Sequence, residues 1–167
     1  MLLIYLNSAY KRNKMFKTVK DILVLCEGNN CRSQIAEGYL RYYAGHKANV
    51  YSAGIEVAGI HPLTVQVLAE DGIDISSHTS NKMNEYTEID FDLLLTVCNS
   101  VTSNCSDFPS KTLHFHYNFP DPVTANGTEE EVLEEFRKTR DLIKIYCAKF
   151  LKIHLYSNAK SFENFQL

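Results

Sequence analysis

The sequence predicts an α/β protein with three layers, in which a four-stranded, mostly parallel sheet has helices on both faces. Apolar runs of strand length at residues 22–25 and 91–97 lack alternating polar residues, which is typical of strands buried on both sides. Segments with helical spacing separate the strand-like runs, and strands that alternate with helices form parallel sheets. In such a sheet, ligand-binding loops lie at the carboxyl ends of the strands.

The individual elements follow from local signals. Strands are expected at residues 22–25, 50–54, 91–97 and 112–119, and helices at residues 35–43, 61–72, 77–89 and 128–150. His61-Pro62 marks the start of the second of these helices, and Gly72 marks its end. The helix after residue 128 is the best defined, because Thr128 and Glu131 form a capping-box pair at its start.

Composition predicts one globular domain. Of 167 residues, 45% are apolar and 22% are charged, and the net charge of -3 argues against disorder and against a nucleic-acid-coating surface. Five cysteines, no complete export signal and no membrane span favour a protein of the reducing cytoplasm. We also expect a monomer. We expect an N-terminal extension at residues 1–18, where Met15 is an alternative start, a single domain at residues 19–152 and a tail at residues 153–167.

The loop that joins the first strand to the first helix carries the chemistry. Backbone amides at a helix N-terminus, Gly28 foremost here, form a cradle for a tetrahedral oxyanion. Cys26 ends the strand and Arg32 lies six residues later, so a thiol and a bidentate guanidinium face the same anion. These groups and the helix dipole lower a thiol pKa, and we expect the Cys26 pKa between roughly 4 and 7.

Seven residues of this loop form the predicted anion-binding set: Glu27, Gly28, Asn29, Asn30, Cys31, Arg32 and Ser33. A carboxylate facing the anion would repel it, so we expect the Glu27 side chain to point to solvent. Cys31 has two interpretations, because it can pack beneath the loop or pair with Cys26 in an off-pathway disulfide. Taken alone, Cys26 also fits a small core residue, but a strand-loop-helix with Cys-x5-Arg-Ser favours a nucleophile.

The loop, in its pattern Cys-x-Gly-Asn-x-Cys-Arg-Ser, resembles the anion loop of the low-molecular-weight tyrosine phosphatase superfamily. The similarity continues through Ser52-Ala53-Gly54, Gly72-Ile73-Asp74-Ile75-Ser76, Phe119-Pro120-Asp121-Pro122 and Gly127-Thr128-Glu129-Glu130-Glu131. It covers about residues 19–151 in order. The thioredoxin-coupled arsenate reductases share this fold, and Gln34 resembles the reductases because the phosphatases usually have Pro there. The resemblance implies reduction of arsenate by Cys26, with thioredoxin as the reductant and no tightly bound cofactor.

Three further residues receive roles through this resemblance. Cys98 ends the third strand on the same rim as Cys26, and Cys105 follows seven residues later. The reductases have such a pair and use it to move a disulfide outward, whereas without the resemblance one core and one surface cysteine would be the better interpretation. Asp121 lies between two prolines and would protonate the departing oxygen, although an Asp-Pro turn is more often only a turn.

Other functions remain open at this stage. The main alternative is a low-molecular-weight tyrosine phosphatase that uses Cys26, Arg32 and Asp121 on phosphomonoesters. Val123-Thr124 stands where the phosphatases commonly have aromatic residues, which favours the reductase. A non-enzymatic module that binds anions or senses redox state is the third hypothesis, and the combination of nucleophile, acid and thiol pair argues against it.

Two groups of residues have the chemistry of possible ion ligands. Some relatives hold a monovalent cation near the anion loop, and Asn29, Glu37 and Ser52 would supply part of such a site here. His114 and His116 share one face of a strand, but no carboxylate or cysteine completes a ligand set nearby. We therefore predict ordinary strand residues and no metal site at this pair.

Overall fold

The computed structural model describes residues 19–100 and 111–156, and the sheet runs through both ranges. The strands and helices are β1 (Lys20–Cys26), α1 (Arg32–Ala44), β2 (Ala48–Gly54), α2 (Pro62–Glu70), β3 (Leu93–Thr96), β4 (Leu113–His116) and α3 (Glu129–His154). The strands lie in the order β2-β1-β3-β4, and every neighbouring pair is parallel. The predicted fold class is confirmed.

The centre of the sheet is β1, which pairs with β2 on one side and with β3 on the other. Residues 22–26 of this strand are all buried, with at most 3% exposure. Successive side chains of a strand point to opposite faces, so both faces of the sheet are covered. This explains why the first strand appears in the sequence as a continuous apolar run.

The two faces are covered differently. Ser52 of β2 contacts Glu37 of α1, so the alternation along the strand places Tyr51 on the opposite face. There the Tyr51 ring packs against Tyr86 and Phe91, with ring centroids 5.4 and 5.6 Å away. The helical cover of this second face among the described residues includes the short 3-10 turn Met83–Tyr86.

The helix predicted over residues 77–89 is therefore wrong, apart from that turn. The physical reason lies at the end of β2. Gly54 donates its backbone N–H to the Asn81 carbonyl at 2.9 Å and forms a parallel bridge with Lys82. Because residues 78–81 are extended along the strand end, their backbone groups are not available for helical hydrogen bonds.

The last helix agrees with its sequence signals and runs slightly further than expected. Thr128 and Glu131 form the predicted capping box, in which each side chain bonds the other residue's backbone N–H. The helix ends at His154, and the Tyr156 hydroxyl donates to the Tyr43 carbonyl at 3.0 Å. The packed structure thus continues past the predicted boundary at residue 152. In the part of the chain that is described, no helix has the length and apolarity to cross a membrane.

Candidate active site

The loop between β1 and α1 turns its carbonyl groups away from Cys26. The carbonyls of Glu27, Gly28 and Asn30 accept backbone N–H groups of residues 56, 58 and 61 at 3.0 to 3.1 Å. The Asn29 carbonyl accepts from the Ser80 hydroxyl at 2.9 Å. When carbonyls along a loop are bonded outward, the N–H groups face the other side, which is the concave surface that an anion requires.

The start of α1 adds free donors to this cradle. Within the described residues, no side chain caps the N-terminus of α1, and the first turn has no acidic residue. The first N–H groups of a helix lack partners inside the helix, and the helix dipole makes this end positive. An oxyanion is the ligand that satisfies both properties.

Asn29 is the residue that bends the loop. Its φ of +46° lies in the left-handed region, which residues other than glycine adopt only at a cost in free energy. In this conformation its backbone N–H reaches the Cys26 Sγ at 3.2 Å. Gly28 was expected to have the leading part in this loop, but Asn29 is the residue with the left-handed conformation. The Glu27 side chain is exposed, as predicted.

The Cys26 thiol is almost fully buried, with 3% exposure. The Ser33 hydroxyl lies 2.8 Å from the sulfur and also accepts the Asn29 side-chain amide at 2.9 Å. Either atom of the Ser33–Cys26 pair can donate while Cys26 is a thiol. A thiolate can only accept, so Ser33 and Asn29 would both donate to Cys26 once it ionises, which stabilises the thiolate.

The predicted lowering of the Cys26 pKa is wrong for this arrangement. Burial raises the pKa of the Cys26 thiol, and the hydrogen bonds from Ser33 and Asn29 oppose this without reversing it. Arg32 was expected to act on the thiol, but its guanidinium is committed to another partner. The helix dipole and the amides therefore act on a thiol that burial keeps protonated.

The side chain of Arg32 pairs with Asp121. The Arg32 Nη2 donates to the Asp121 carboxylate at 2.5 Å, and Nη1 donates to the Phe119 carbonyl at 3.2 Å. Asp121 also accepts the Val123 backbone N–H at 3.2 Å, which fixes its side chain at the start of a short 3-10 turn. The structure thus brings two predicted site residues into direct contact across the sheet.

Cys98 lies next to Cys26, at the same rim of the sheet. The Val97 N–H bonds the Leu25 carbonyl at 3.0 Å, so the residues that follow β3 run beside the end of β1. Cys98 is 2% exposed, and its thiol is near enough to contribute to the raised pKa of Cys26. Its sulfur lies 3.2 Å from the Ser100 hydroxyl. Cys105 lies outside the described residues.

The other cysteines are enclosed. Cys31 is buried beneath the loop, where burial raises its pKa to about 12 and a hydrogen bond with Thr64 opposes the shift. Cys147 is fully buried, and its sulfur points at the Ala36 carbonyl at 3.8 Å. Both thiols are free in this structure, and burial keeps them protonated.

The three residues considered for a monovalent cation do not fit one as they are arranged here. Glu37 pairs with Arg41 at 2.7 Å and accepts the Ser52 hydroxyl at 2.5 Å. The side-chain oxygen of Asn29 accepts the Asn81 N–H at 2.8 Å. The oxygens that would bind the ion therefore already hold donors, and a guanidinium already balances the carboxylate.

The histidines of β4 also have partners. His116 contacts the Thr96 hydroxyl through Nδ1 at 2.7 Å and the Asn99 side chain through Nε2 at 3.1 Å. Among residues 19–100 and 111–156, no group of three or more His, Cys, Asp or Glu side chains has the arrangement of a metal site.

Sequence reasoning missed the residues that support the loop from below. Gln34 and Ser80 both bond the Asn29 carbonyl, at 3.3 and 2.9 Å. Gly54 packs so closely that a Cβ there would lie 2.8 Å from the Asn29 nitrogen. The available signal was the polar run His78-Thr79-Ser80-Asn81, whose small polar side chains suit backbone contacts better than a helix face.

Comparison with known proteins places this arrangement in a family. The model of the low molecular weight phosphotyrosine protein phosphatase family matches residues 21–161. The chain belongs to this family. Within it, the chain is 44% identical over 124 residues to the arsenate reductase of Halalkalibacterium halodurans and 43% identical over 124 residues to that of Bacillus subtilis. Each alignment covers 74% of this chain and 89% of the relative.

The solved structures that resemble this chain include both arsenate reductases and tyrosine phosphatases. An arsenate reductase in the phosphate binding state superposes with a TM-score of 0.71 at 27% identity, over 81% of this chain and 98% of the other. A low molecular weight protein tyrosine phosphatase from T. tengcongensis superposes with a TM-score of 0.69 at 25% identity, over 80% and 99%. Because the same backbone fold occurs in both kinds of enzyme, only the residues at the site can distinguish a reductase from a phosphatase.

Proposed function

We propose that this protein is an enzyme that reduces arsenate to arsenite and is returned to its starting state by thioredoxin. The observation that carries the proposal is the second buried thiol, Cys98, beside the nucleophile Cys26. Hydrolysis of a phosphate ester needs one cysteine, whereas reduction needs a thiol that can attack the first. The curated relatives named as arsenate reductases, at 44% and 43% identity, agree with this choice.

Substrate binding follows from the cradle. The loop amides, the N-terminus of α1 and Arg32 bind the arsenate oxygens, as they would any tetrahedral oxyanion. The anion competes with Asp121 for the guanidinium, because both are negatively charged and lie against the same side chain. Asp121 then lies beside the bound anion, within reach of the departing oxygen, where a general acid must stand.

The first chemical step joins sulfur to arsenic. Cys26 is held as a thiol, so its proton passes to the arsenate dianion, and Ser33 and Asn29 stabilise the thiolate that remains. The sulfur attacks arsenic, and the departing hydroxide leaves as water with the proton from Asp121. The product is a covalent bond between Cys26 and arsenic, with arsenic still in its oxidised state.

The second step transfers two electrons. The Cys98 sulfur attacks Cys26 Sγ and gives its proton to an oxygen of the arsenic group. A Cys26–Cys98 disulfide forms, and the sulfur–arsenic bond breaks with its electron pair going to arsenic, which leaves as arsenite. Adjacent strands lie about 4.8 Å apart, and the α-carbons of a disulfide lie within about 7 Å, so neighbouring strand ends suit this bond. Cys105 then attacks Cys98 and frees Cys26. The two thiols of thioredoxin reduce the remaining disulfide.

The compartment of this reaction is part of the proposal. Cys26 and Cys98 must be thiols at the start of each cycle, and the relay ends on a dithiol reductant. Both conditions hold in a reducing cytoplasm.

The decisive experiment is arsenate-dependent oxidation of NADPH in the presence of thioredoxin and thioredoxin reductase. A parallel reaction with glutathione and glutaredoxin tests the choice of reductant. Cys98→Ser and Cys105→Ser should each abolish repeated turnover, and Cys147→Ser is the matched control, because Cys147 lies outside the site. Unchanged turnover in Cys105→Ser would exclude the relay in this order.

Phosphatase activity is the second candidate, because Cys26, Arg32 and Asp121 form the same apparatus that hydrolysis of a phosphomonoester needs. Hydrolysis of p-nitrophenyl phosphate separates the two functions. It should be weak and should survive Cys98→Ser if the reductase hypothesis is correct. Efficient hydrolysis without any arsenate-dependent NADPH oxidation would make the protein a phosphatase.

A further inference from the structure

Gln34 is fully buried in the first turn of α1, and its side chain forms polar contacts with Asn29, Thr79 and His78. Its Nε2 lies 3.3 Å from the Asn29 carbonyl oxygen, 3.1 Å from the Asn29 Oδ1 and 2.9 Å from the Thr79 carbonyl oxygen. Its Oε1 lies 3.1 Å from the His78 Nδ1. We propose that Gln34 is a positioning residue, which holds Asn29 in the left-handed conformation and thereby keeps the Asn29 amide on the Cys26 sulfur.

The orientation of the Gln34 amide follows from its surroundings. All three groups around Nε2 are oxygens that can only accept hydrogen bonds, so this atom must be the donor. The oxygen then faces His78, whose Nδ1 must carry a hydrogen. Burial lowers the pKa of His78, which favours the neutral ring, and the Gln34 oxygen beside Nδ1 then selects the tautomer with its hydrogen on that nitrogen. The side chain is thus fixed from both ends.

Asn29 needs such support because its backbone conformation is unfavourable. With φ at +46°, a residue that has a Cβ returns to an ordinary conformation unless its neighbours hold it. Gln34 bonds both the backbone and the side-chain oxygen of Asn29, so it opposes rotation of the peptide and of the side chain together. Ser80 also bonds the backbone oxygen and Asn81 the side-chain oxygen, but among the described residues Gln34 alone bonds both.

The position of Asn29 affects the hydrogen bonds to the Cys26 sulfur. The Asn29 N–H donates to Cys26 Sγ at 3.2 Å, and the Asn29 side-chain amide holds the Ser33 hydroxyl that donates to the same sulfur once it ionises. Both donors lower the pKa of Cys26 against the effect of burial. If Gln34 is lost, Asn29 relaxes, both donors weaken, and the thiolate becomes harder to form.

This inference rests on the proposed role of Cys26 as the nucleophile, but its test needs no arsenate. Gln34→Met keeps the length and approximate volume of the side chain and removes its donor and acceptor. Gln66→Met is the matched control, because Gln66 is exposed on α2. The measurement is the iodoacetamide labelling of each cysteine against pH, mapped by mass spectrometry after removal of phosphate and sulfate.

We expect Gln34→Met to raise the pH midpoint of Cys26 labelling by about one unit, since a lost hydrogen bond to a thiolate changes its ionisation roughly tenfold. Gln66→Met should leave the midpoint unchanged. A Gln34→Met protein that melts at a lower temperature but labels Cys26 with the wild-type midpoint would overturn the proposal, because Gln34 would then serve stability alone.

A second comparison tests the route through Asn29. Glycine adopts positive φ freely, so in an Asn29→Gly background the added change Gln34→Met should shift the midpoint much less than it does alone. An equal shift in both backgrounds would overturn the proposal. If Gln34→Met does not fold, Gln34→Asn, whose side chain is one methylene shorter, should shift the pH midpoint of Cys26 labelling in the same direction. An unchanged midpoint in that variant would overturn the proposal.

The same data separate this inference from the function on which it rests. If wild-type Cys26 labels no faster than Cys147 at any pH, Cys26 is not the nucleophile and both conclusions fail. If wild-type Cys26 is reactive and only the Gln34 variants behave as wild type, the proposed function stands and the inference alone is overturned.

Discussion

Replacement of Gly54 by alanine tests whether the anion loop depends on the close approach of β2. A Cβ at this position would lie 2.4 Å from the Glu56 carbonyl oxygen, 2.6 Å from the Glu27 carbonyl oxygen and 2.8 Å from the Asn29 nitrogen. All three are backbone atoms, so none can rotate away as a side chain would. The loop itself must therefore move, and it must move at the residue that bonds Cys26.

The expected magnitude follows from the number of overlaps. Overpacking of a close-packed site costs typically 1 to 3 kcal/mol, and three backbone contacts below 3.0 Å place this change at the upper end, about 3 kcal/mol. In a domain of this size, that loss lowers the melting temperature by about 6 to 12 °C. Because the strain falls on the loop, binding of phosphate or arsenate should weaken more than the loss of stability alone explains.

Gly38→Ala is the matched control for Gly54→Ala. Its Cβ would meet only side-chain methyl groups, those of Leu68, Ile73 and Ile75, at 3.2 to 3.4 Å, and alanine is the better residue inside a helix. We expect a change in stability within about 1 kcal/mol and unaltered anion binding. The assays are thermal unfolding with and without phosphate, and phosphate titration at a temperature where both variants are folded. Equal effects of the two substitutions would refute the argument.

Three further changes have defined outcomes. With one equivalent of arsenate and no thioredoxin, peptide mapping should find a Cys26-Cys98 disulfide in Cys105→Ser and a Cys98-Cys105 disulfide in wild type; the same bond in both would contradict the order of attack. Ser33→Ala should raise the pH midpoint of Cys26 labelling, because it removes a donor to the sulfur, and an unchanged midpoint would show that the hydroxyl does not point there. Burial alone would raise the Asp71 pKa, but hydrogen bonds lower it below its ordinary 3.8, so its stabilising effect is present above that pH and lost as the pH falls further. In Asp71→Asn, the free energy of unfolding should therefore fall less between pH 5 and pH 3 than it does in wild type, as measured by denaturant unfolding. An equally steep fall in both proteins would show that Asp71 does not contribute.

The features that the sequence predicted well are those encoded by neighbouring residues. The capping box of Thr128 and Glu131 and the strand ending at Cys26 depend on a few consecutive positions, and the structure agrees with both. The outward direction of Glu27 followed from charge alone. Such signals remain valid whatever the rest of the chain does.

The features that were missed depend on contacts between distant residues. The left-handed Asn29 is held by Gln34 and by residues 78–81, and no local pattern indicates that these segments meet. The same segment was predicted as part of a helix because residues 77–89 have a loose helical pattern. The pKa of Cys26 was misjudged for a related reason, since the burial that raises it comes from distant segments packed around the strand end. The partner that occupies Arg32 also lies far away, at a separation of 89 residues.

That separation of 89 residues has a consequence for how activity responds to local opening of the fold. The proposed nucleophile, Cys26, lies on the central strand, whereas the proposed acid, Asp121, follows β4, which is the last strand at one edge of the sheet. Edge elements open at lower free energy than central ones, so a fluctuation that detaches β4 would remove Asp121 while the anion loop stays intact. In that partly open state the protein still binds an oxyanion but cannot protonate the departing oxygen. On heating or in mild denaturant, enzymatic activity should therefore be lost before oxyanion binding is lost.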